Sequence, residues 1–549
     1  MGVRRVQRKN FIVPRCTGAC PAGVDVPRYI RAVKARRYDE AVAVLREKLP
    51  LPIVCADACF APCEDVCAYK QMGDPIAIRA IKRAAVDKGG DAWKKNRKIA
   101  AKTGKKVAIV GAGPAGLTAA YYLAGKGHEV DLFDSFPKPG GMMRYGIPDY
   151  RLPTERLEKD VEAIMESGVV FHGNKSIGKD VTLDDLKKDH DAVFLASGAN
   201  GSIKIPVEGS DKEGVLWGWD FLKDVGLGVK FDLKGDVVVI GGGNVAIDVA
   251  LTAKRLGAER VQIFCLESRE EMPAHDWEIA RAEEEGVLIN NSWAPKKVLG
   301  DNQSTGIGLI KCTSVFDDAC NFNPAYEEGI SYKADADYVI LAVGQRADLD
   351  YVKGVGKVDA AGGRIQAAED TLATGEPGIF AGGDVVSGPD SIIGAIAHGR
   401  KAASSIDSYL GGNGDIRETL AEPEDDVLLE DFVLKTEPRN EMRLLKPWAR
   451  SSGFEQVEMG LAEDRIEAEA SRCLYCDARQ FAVVLNTDYC KECGYCSEVC
   501  GVETFGQADF FNAKGYRPNE VKSSDWCVGC AKCYFSCPDF AIDIVEVIA

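Results

Sequence analysis

Two stretches of the chain share one pattern: a short apolar run, a glycine-rich turn, then an amphipathic segment and a second apolar run. Residues 106–134 read KVAIVGAGPAGLTAAYYLAGKGHEVDLFD, and residues 236–267 read DVVVIGGGNVAIDVALTAKRLGAERVQIFCLE. Short β-branched runs that end on glycine predict buried parallel strands, and the segments between them predict helices. A third unit, GIFAGGDVVSGPDSIIGAIAHGRKAA, also runs from strand to glycine turn to helix. Near the N-terminus PRYIRAVKARRYDEAVAVLREKL has apolar residues every three or four positions and no Gly or Pro after Pro27. It predicts a helix across 27–49, with Pro27 in the first turn. Residues 411–470 are charged and proline-containing, which predicts a connecting arm.

Composition narrows the class. A chain of 549 residues predicts three to four domains. Acidic residues number 84 against 68 basic, a net charge of −16, so a nucleic-acid partner is not expected. No run of 18 apolar residues predicts a membrane span. The basic start MGVRRVQRKN has no apolar stretch after it, and Val6 stands where a myristoylation site wants Ser or Thr after Gly2. Neither secretion nor lipid anchoring is expected, and the cytoplasm is the expected location.

There are 19 cysteines against 5 histidines. Six precede residue 70, ten follow residue 470, and Cys265, Cys312 and Cys320 lie between. In a reducing compartment, clustered thiols read as metal ligands, and few histidines favour iron–sulfur clusters or zinc.

In the first unit Gly111, Gly113 and Gly116 form G-x-G-x-x-G. Gly111 permits the tight turn, Gly113 lets the backbone approach a pyrophosphate, and Gly116 lets helix pack on strand. The anion would sit at the helix N-terminus, where free N–H groups and the dipole favour it. Asp134 closes the next apolar run, placed to accept from a ribose hydroxyl. Gly241, Gly243 and Ala246 repeat the motif as G-x-G-x-x-A, and Glu267 ends its second run.

Ala381-Gly382-Gly383-Asp384, followed by a helix, resembles the second flavin signature of two-dinucleotide-domain flavoproteins. LASGAN (195–200) and LAVGQRAD (341–348) resemble that family's crossover strands. The resemblance covers about 106–410. It implies FAD on the first unit, with Asp384 on the ribityl chain, and a nicotinamide dinucleotide on the second. NADPH-linked relatives carry an Arg-Arg pair before a segment like SREEMPA. Here Leu266 and Glu267 stand there, and an acid reads a 2′-hydroxyl. NAD is the expected nucleotide; Arg269 leaves NADP open. The five histidines are scattered, and no residue is assigned as a catalytic acid, base or nucleophile. His275 beside MPA is a candidate for cofactor contact. Cys265, with no C-x-x-C partner, reads as buried.

The tail holds C-x₂-C-x₂-C-x₃-C twice, as Cys490, Cys493, Cys496, Cys500 and as Cys527, Cys530, Cys533, Cys537. This is the spacing of bacterial two-cluster ferredoxins, whose fourth cysteine serves the other cluster. The expected sets are Cys490, Cys493, Cys496 with Cys537, and Cys527, Cys530, Cys533 with Cys500. Gly501 stands where proline is usual, and zinc sites have larger central gaps. Residues 485–546 resemble the ferredoxin-like subunit of 2-oxoacid:ferredoxin oxidoreductases.

The head, CTGACPAGVDVPRYI and CADACFAPCEDVC, resembles the N-terminal domain of glutamate synthase small subunits, which holds two [4Fe–4S] clusters. Relatives have an extra C-x₂-C upstream of Cys16, where this chain has Arg8 and Phe11. One head cluster is therefore expected. The resemblance assigns it Cys20, Cys59 and Cys63, with Lys82 at the fourth-ligand position. An ammonium has no lone pair to donate, so Cys55, Cys67 or Cys16 would complete the set. EAEASRCLYCDAR resembles another element of those subunits, and Cys473 and Cys476 read either as core cysteines or as ligands.

The fold class expected is an α/β two-dinucleotide-domain (Rossmann-like) flavoprotein with a helical N-terminal iron–sulfur domain and a C-terminal 2[4Fe–4S] ferredoxin domain. The expected divisions are 1–104 head, 105–225 with 335–410 FAD domain, 226–334 NAD(P) domain, 411–484 arm and 485–549 ferredoxin domain. The expected activity is electron transfer between NAD(H) and iron–sulfur clusters through FAD. The expected setting is a hetero-oligomer with thiamine-diphosphate 2-oxoacid oxidoreductase chains. The alternatives are a stand-alone NAD(P)H:ferredoxin oxidoreductase, a glutamate synthase small subunit, and a non-catalytic docking subunit.

Overall fold

The computed structural model describes residues 4–7, 13–424 and 437–548. Gly2, Arg8, Phe11 and part of the acidic arm lie outside the described residues.

The head is built from α1 (Arg15–Ala19), α2 (Val26–Lys34), α3 (Tyr38–Arg46), α4 (Pro52–Ala58), α5 (Pro62–Asp65) and α6 (Ile78–Lys88). Pro27 sits in the first turn of α2, where its missing N–H costs nothing, and the Asp25 side chain accepts from the Arg28 N–H. The continuous helix expected over 27–49 is broken in two. Arg36 adopts φ +58°, and α3 folds back onto α2. The break lets Tyr29, Ile30 and Val33 share one core with Val42, Leu45 and Leu49. That burial outweighs the strain of about 1–2 kcal/mol at one left-handed residue.

The first parallel sheet has the order Ile379–Ala381, Ala192–Leu195, Lys106–Val110, Glu129–Phe133, Val170–His172. Its inner strands, Ala192–Leu195 and Val107–Val110 of the central one, are buried on both faces because helices cover both. α7 (Pro114–Gly125) follows the Lys106–Val110 strand. The second sheet runs Leu288–Asn291, Arg260–Cys265, Asp236–Ile240, Tyr338–Leu341, Val215–Trp217, also all parallel. It draws its last two strands from outside the expected 226–334 span. α8 (Asn244–Arg255) and α9 (Asp276–Glu284) flank it. The chain passes between the sheets twice, and Gly201–Ser202 pairs antiparallel with Gln345–Arg346 where it does so. α10 (Ile392–Tyr409) then packs on α7.

The connecting arm, where described, is a packed strap. Val457 enters the core of the second sheet, and α11 (Glu463–Ala470) packs on α2 and α6. Leu461, Ile466 and Ala470 join the core shared by the head and the first sheet. In the tail, Arg479–Leu485 pairs antiparallel with Ile542–Ile548, and Arg4–Gln7 adds a parallel third strand. The two ends of the chain therefore share one sheet.

Candidate functional site

The first glycine loop needs glycine for two separate reasons. Gly111 adopts φ +106°, and a Cβ there would collide with the Ala196 carbonyl. A Cβ on Gly116 would collide with the Gly111 carbonyl, which holds α7 close to its strand. Asp134 accepts from the Ala112 N–H at 2.7 Å and the Phe136 N–H at 2.9 Å. The acid read as a ribose acceptor thus also pins the loop. Burial raises its pKa, and those N–H groups pull it back. Asp384 opens a short helix after Gly383. Burial pushes it up to about 6, with Asp390 adding to the effect. The Gly383 N–H donates to His398 Nδ1 at 2.9 Å, so this nitrogen carries no proton. Burial lowers the His398 pKa, and Lys401 lowers it further. Sequence reasoning left His398 among the scattered histidines; its place as the seventh residue of α10, the long helix that follows the Gly-Asp turn and its short helix, was the available signal.

Gly111, Gly113, Asp134, Gly383 and Asp384 line one cleft of about 250 Å³. The second unit reaches the same cleft through Asn244, Val245 and Asp248 at the start of α8, with His275 and Glu278. Gly241, Gly243, Ala246 and Glu267 lie outside that lining, the two glycines in the turn before α8, Ala246 in its first turn and Glu267 just after the Arg260–Cys265 strand. Glu267 leans over the loop: a Cβ on Gly242 would lie 2.6 Å from its Oε2. Arg269 is held by Glu283 at 2.9 Å. Arg151, from the first unit's side, bridges Asp248 and Glu278 at 2.6 Å each. Burial pushes Glu278 up to about 7 even against Arg151. His275 stacks between Phe60 of the head and Trp277. Cys265 is buried, with Asn291 Nδ2 donating to its sulfur at 3.4 Å.

Ala58, Cys59 and Phe60 bring the head into the cleft wall, and Cys59 is the one cysteine there among the described residues. Behind it Lys82 is buried with its ammonium 3.5 Å from the Cys55 carbonyl. Burial lowers the pKa of Lys82, but Cys59, Cys55, Cys63 and Cys20 around it raise it further. Cys16 neighbours Cys473, Cys476 and Cys67, and more weakly Cys63 of the first set, and Cys67 neighbours Cys473. In the tail, Cys500, Cys527, Cys530 and Cys533 line one cavity together with Gln71. Cys490 and Cys493 neighbour Cys496, whose sulfur accepts from Asn519 Nδ2 at 2.8 Å. The Cys537 sulfur accepts from the Ala541 N–H at 3.3 Å. Among the described residues no three such side chains converge on a single ion. In the tail set the sulfurs surround a cavity rather than a point, as a cube of irons requires.

Two glycine-loop sheets sharing one cleft, with a Gly-Asp turn on one side and a cysteine-bearing head on the other, define a two-dinucleotide oxidoreductase. Residues 105–399 match the family described as pyridine nucleotide-disulphide oxidoreductase, and residues 9–93 match dihydropyrimidine dehydrogenase domain II, 4Fe-4S cluster. The chain belongs to the pyridine nucleotide-disulphide oxidoreductase family and is an NAD(P)-dependent oxidoreductase of the FAD and iron–sulfur type. It is 38% identical to the NADP(+)-dependent formate dehydrogenase subunit beta of Moorella thermoacetica, over 85% of this chain and 71% of that one. It is 36% identical to the NADPH-Fe(3+) oxidoreductase subunit beta of Geobacter sulfurreducens, over 84% and 75%. It is 34% identical to the glutamate synthase [NADPH] small chain of Escherichia coli, over 72% and 89%. A solved oxidoreductase of Mycobacterium tuberculosis aligns at TM-score 0.49 and 22% identity over 56% of this chain and 85% of its own. Among the described residues no helix is long and apolar enough to cross a membrane.

Proposed function

We propose that this chain is the electron-transfer subunit of a larger complex, moving electrons between NAD(H) and iron–sulfur clusters through FAD. The observation that carries the reading is the shared cleft: both nucleotide units and Cys59 border it. FAD, when bound, supplies the exchange between electron pairs and single electrons. The chain's own residues do the rest. The loop at Gly111–Gly116 takes the pyrophosphate, and Asp384 takes the ribityl hydroxyls. Asn244 and His275, joined by a 3.0 Å bond from the His275 N–H, edge the nicotinamide side. Four cysteines around Lys82 hold one head cluster. The tail holds two, on Cys527, Cys530, Cys533 with Cys500, and on Cys490, Cys493, Cys496 with Cys537.

NAD is the proposed nucleotide. The relatives named above carry NADP(H) in their names, but Glu267 overhangs the loop where a 2′-phosphate would sit, and Arg269 is already paired. Comparing kcat/KM for NADH and NADPH tests this. NADH should be preferred, and Glu267→Ala should raise the relative NADPH efficiency about tenfold, the effect of removing some 1.4 kcal/mol of repulsion. An NADPH preference in the unaltered protein refutes the assignment.

The proposed partners are thiamine-diphosphate 2-oxoacid oxidoreductase chains. Phe511, Phe535 and Phe540 of the tail are 69%, 70% and 80% exposed, which supports docking of another chain there. Anaerobic purification of the native protein, followed by mass spectrometry of its companions, tests the partner. A formate-oxidising or glutamate-forming companion overturns the oxoacid assignment and leaves electron transfer standing. Absence of flavin and iron overturns both.

A further inference from the structure

Eight cysteines at the head and its strap fall into two foursomes. Cys20, Cys55, Cys59 and Cys63 surround Lys82. The other four come from opposite ends of the chain. Cys16 lies on α1, Cys67 follows α5, and these helices pack together. Cys473 and Cys476 lie in the turn after α11, which packs on α2 and α6.

That turn is fixed on both sides. Arg472, just before Cys473, donates to the Asp74 carbonyl at 2.7 Å, and its guanidinium lies 4.7 Å from the Tyr69 ring, two residues past Cys67. Asp477, just after Cys476, takes a two-pronged bond from Arg31 of α2 at 2.7 and 2.6 Å. One small cavity is lined by Arg15, Ala68 and Cys476, so the chain neighbours of Cys16 and Cys67 meet the strap there. The thiols act on one another as a set would. Cys16 has Cys473, Cys476 and Cys67 as its nearest charged neighbours, with Cys63 of the first set acting more weakly, and Cys473 has Cys476 and Cys67 beside it.

We infer that Cys16, Cys67, Cys473 and Cys476 hold a second [4Fe–4S] cluster on the head, with two ligands supplied by each end of the chain. Four thiols without histidine or carboxylate match the donor set of such a cube. The strap supplies the C-x₂-C whose upstream counterpart this chain lacks at Arg8 and Phe11. The same cavity also touches Cys527 and Trp526 of the tail. The Arg15 guanidinium lies 4.4 Å from the Trp526 ring. The cluster therefore stands between the head foursome and the tail, as a relay. This rests on the iron–sulfur reading of the chain given above.

The test uses the full-length protein, purified without oxygen, and three variants: Cys16→Ser, the double variant Cys473→Ser with Cys476→Ser, and Cys265→Ser as a control. Iron and acid-labile sulfide are measured per flavin, and EPR spectra are taken after dithionite reduction. The head variant and the double variant should each lose about four irons and the same EPR component, while the control keeps both. Full iron in either variant, loss of different components, or zinc in place of iron at this set overturns the inference. If the double variant fails to fold, shown by lost flavin, Cys16→Ser decides alone: an unchanged cluster spectrum overturns the assignment. A wild-type protein without any iron instead defeats the electron-transfer reading itself.

Discussion

Lys82 shows what one buried charge can do. The family resemblance implies a ligand at its position, yet an ammonium cannot coordinate, and four cysteines surround it. A cube with four thiolates carries net negative charge, which grows on reduction. A fixed positive charge inside the same low-dielectric space favours the reduced form. Lys82→Met keeps most of the volume and removes the charge. One cluster potential should then fall by more than about 59 mV, the step that changes a one-electron equilibrium tenfold. An EPR-monitored redox titration reads it. An unchanged set of potentials would place Lys82 outside the field of any cluster.

At the scale of elements, α9 is tied to the flavin side by charge. Arg151 bridges Asp248 of α8 and Glu278 of α9 in the cleft wall. Burial holds Glu278 near 7, against about 4.3 for an unfolded glutamate. The folded pKa is the higher one, so the folded state keeps a proton that the unfolded state loses. Its contribution to stability is present below about pH 4.3 and is lost as pH rises through 7. Melting temperature should fall between pH 5.5 and 7.5, and Glu278→Gln should flatten that fall. A variant with the same slope as the parent refutes the assignment. The glycine loops were legible in the sequence because each glycine answers one local steric demand, as Gly111 and Gly116 do. The α2–α3 break was not, because the residues around Arg36 carry no breaker and the two buried faces alone force it. The neighbours of Cys473 and Cys476 were not legible either. They lie some 400 residues earlier, and spacing informs only about ligands that are close in sequence.

The whole molecule joins its ends. Arg4–Gln7 pairs with Ile542–Ile548, and Lys532 Nζ donates to the Gln71 carbonyl at 3.2 Å. The tail is thereby docked on the head, away from the cleft, and Cys59 is the cysteine that borders the nucleotide units. On the proposed electron-transfer reading, electrons leaving the cleft for the tail have the head as their first stop. Cys59→Ser should therefore separate two events that are coupled in the parent. On mixing with NADH in a stopped-flow instrument, the flavin band should bleach at close to the parental rate, because Gly111, Asp134, Asp384 and Asn244 are untouched. The broader absorbance of the clusters proposed for the tail should bleach at least tenfold more slowly, a barrier increase of about 1.4 kcal/mol or more. Simultaneous bleaching at the parental rate would mean that the tail receives electrons by a path that bypasses the head. The docked geometry would then serve assembly rather than conduction.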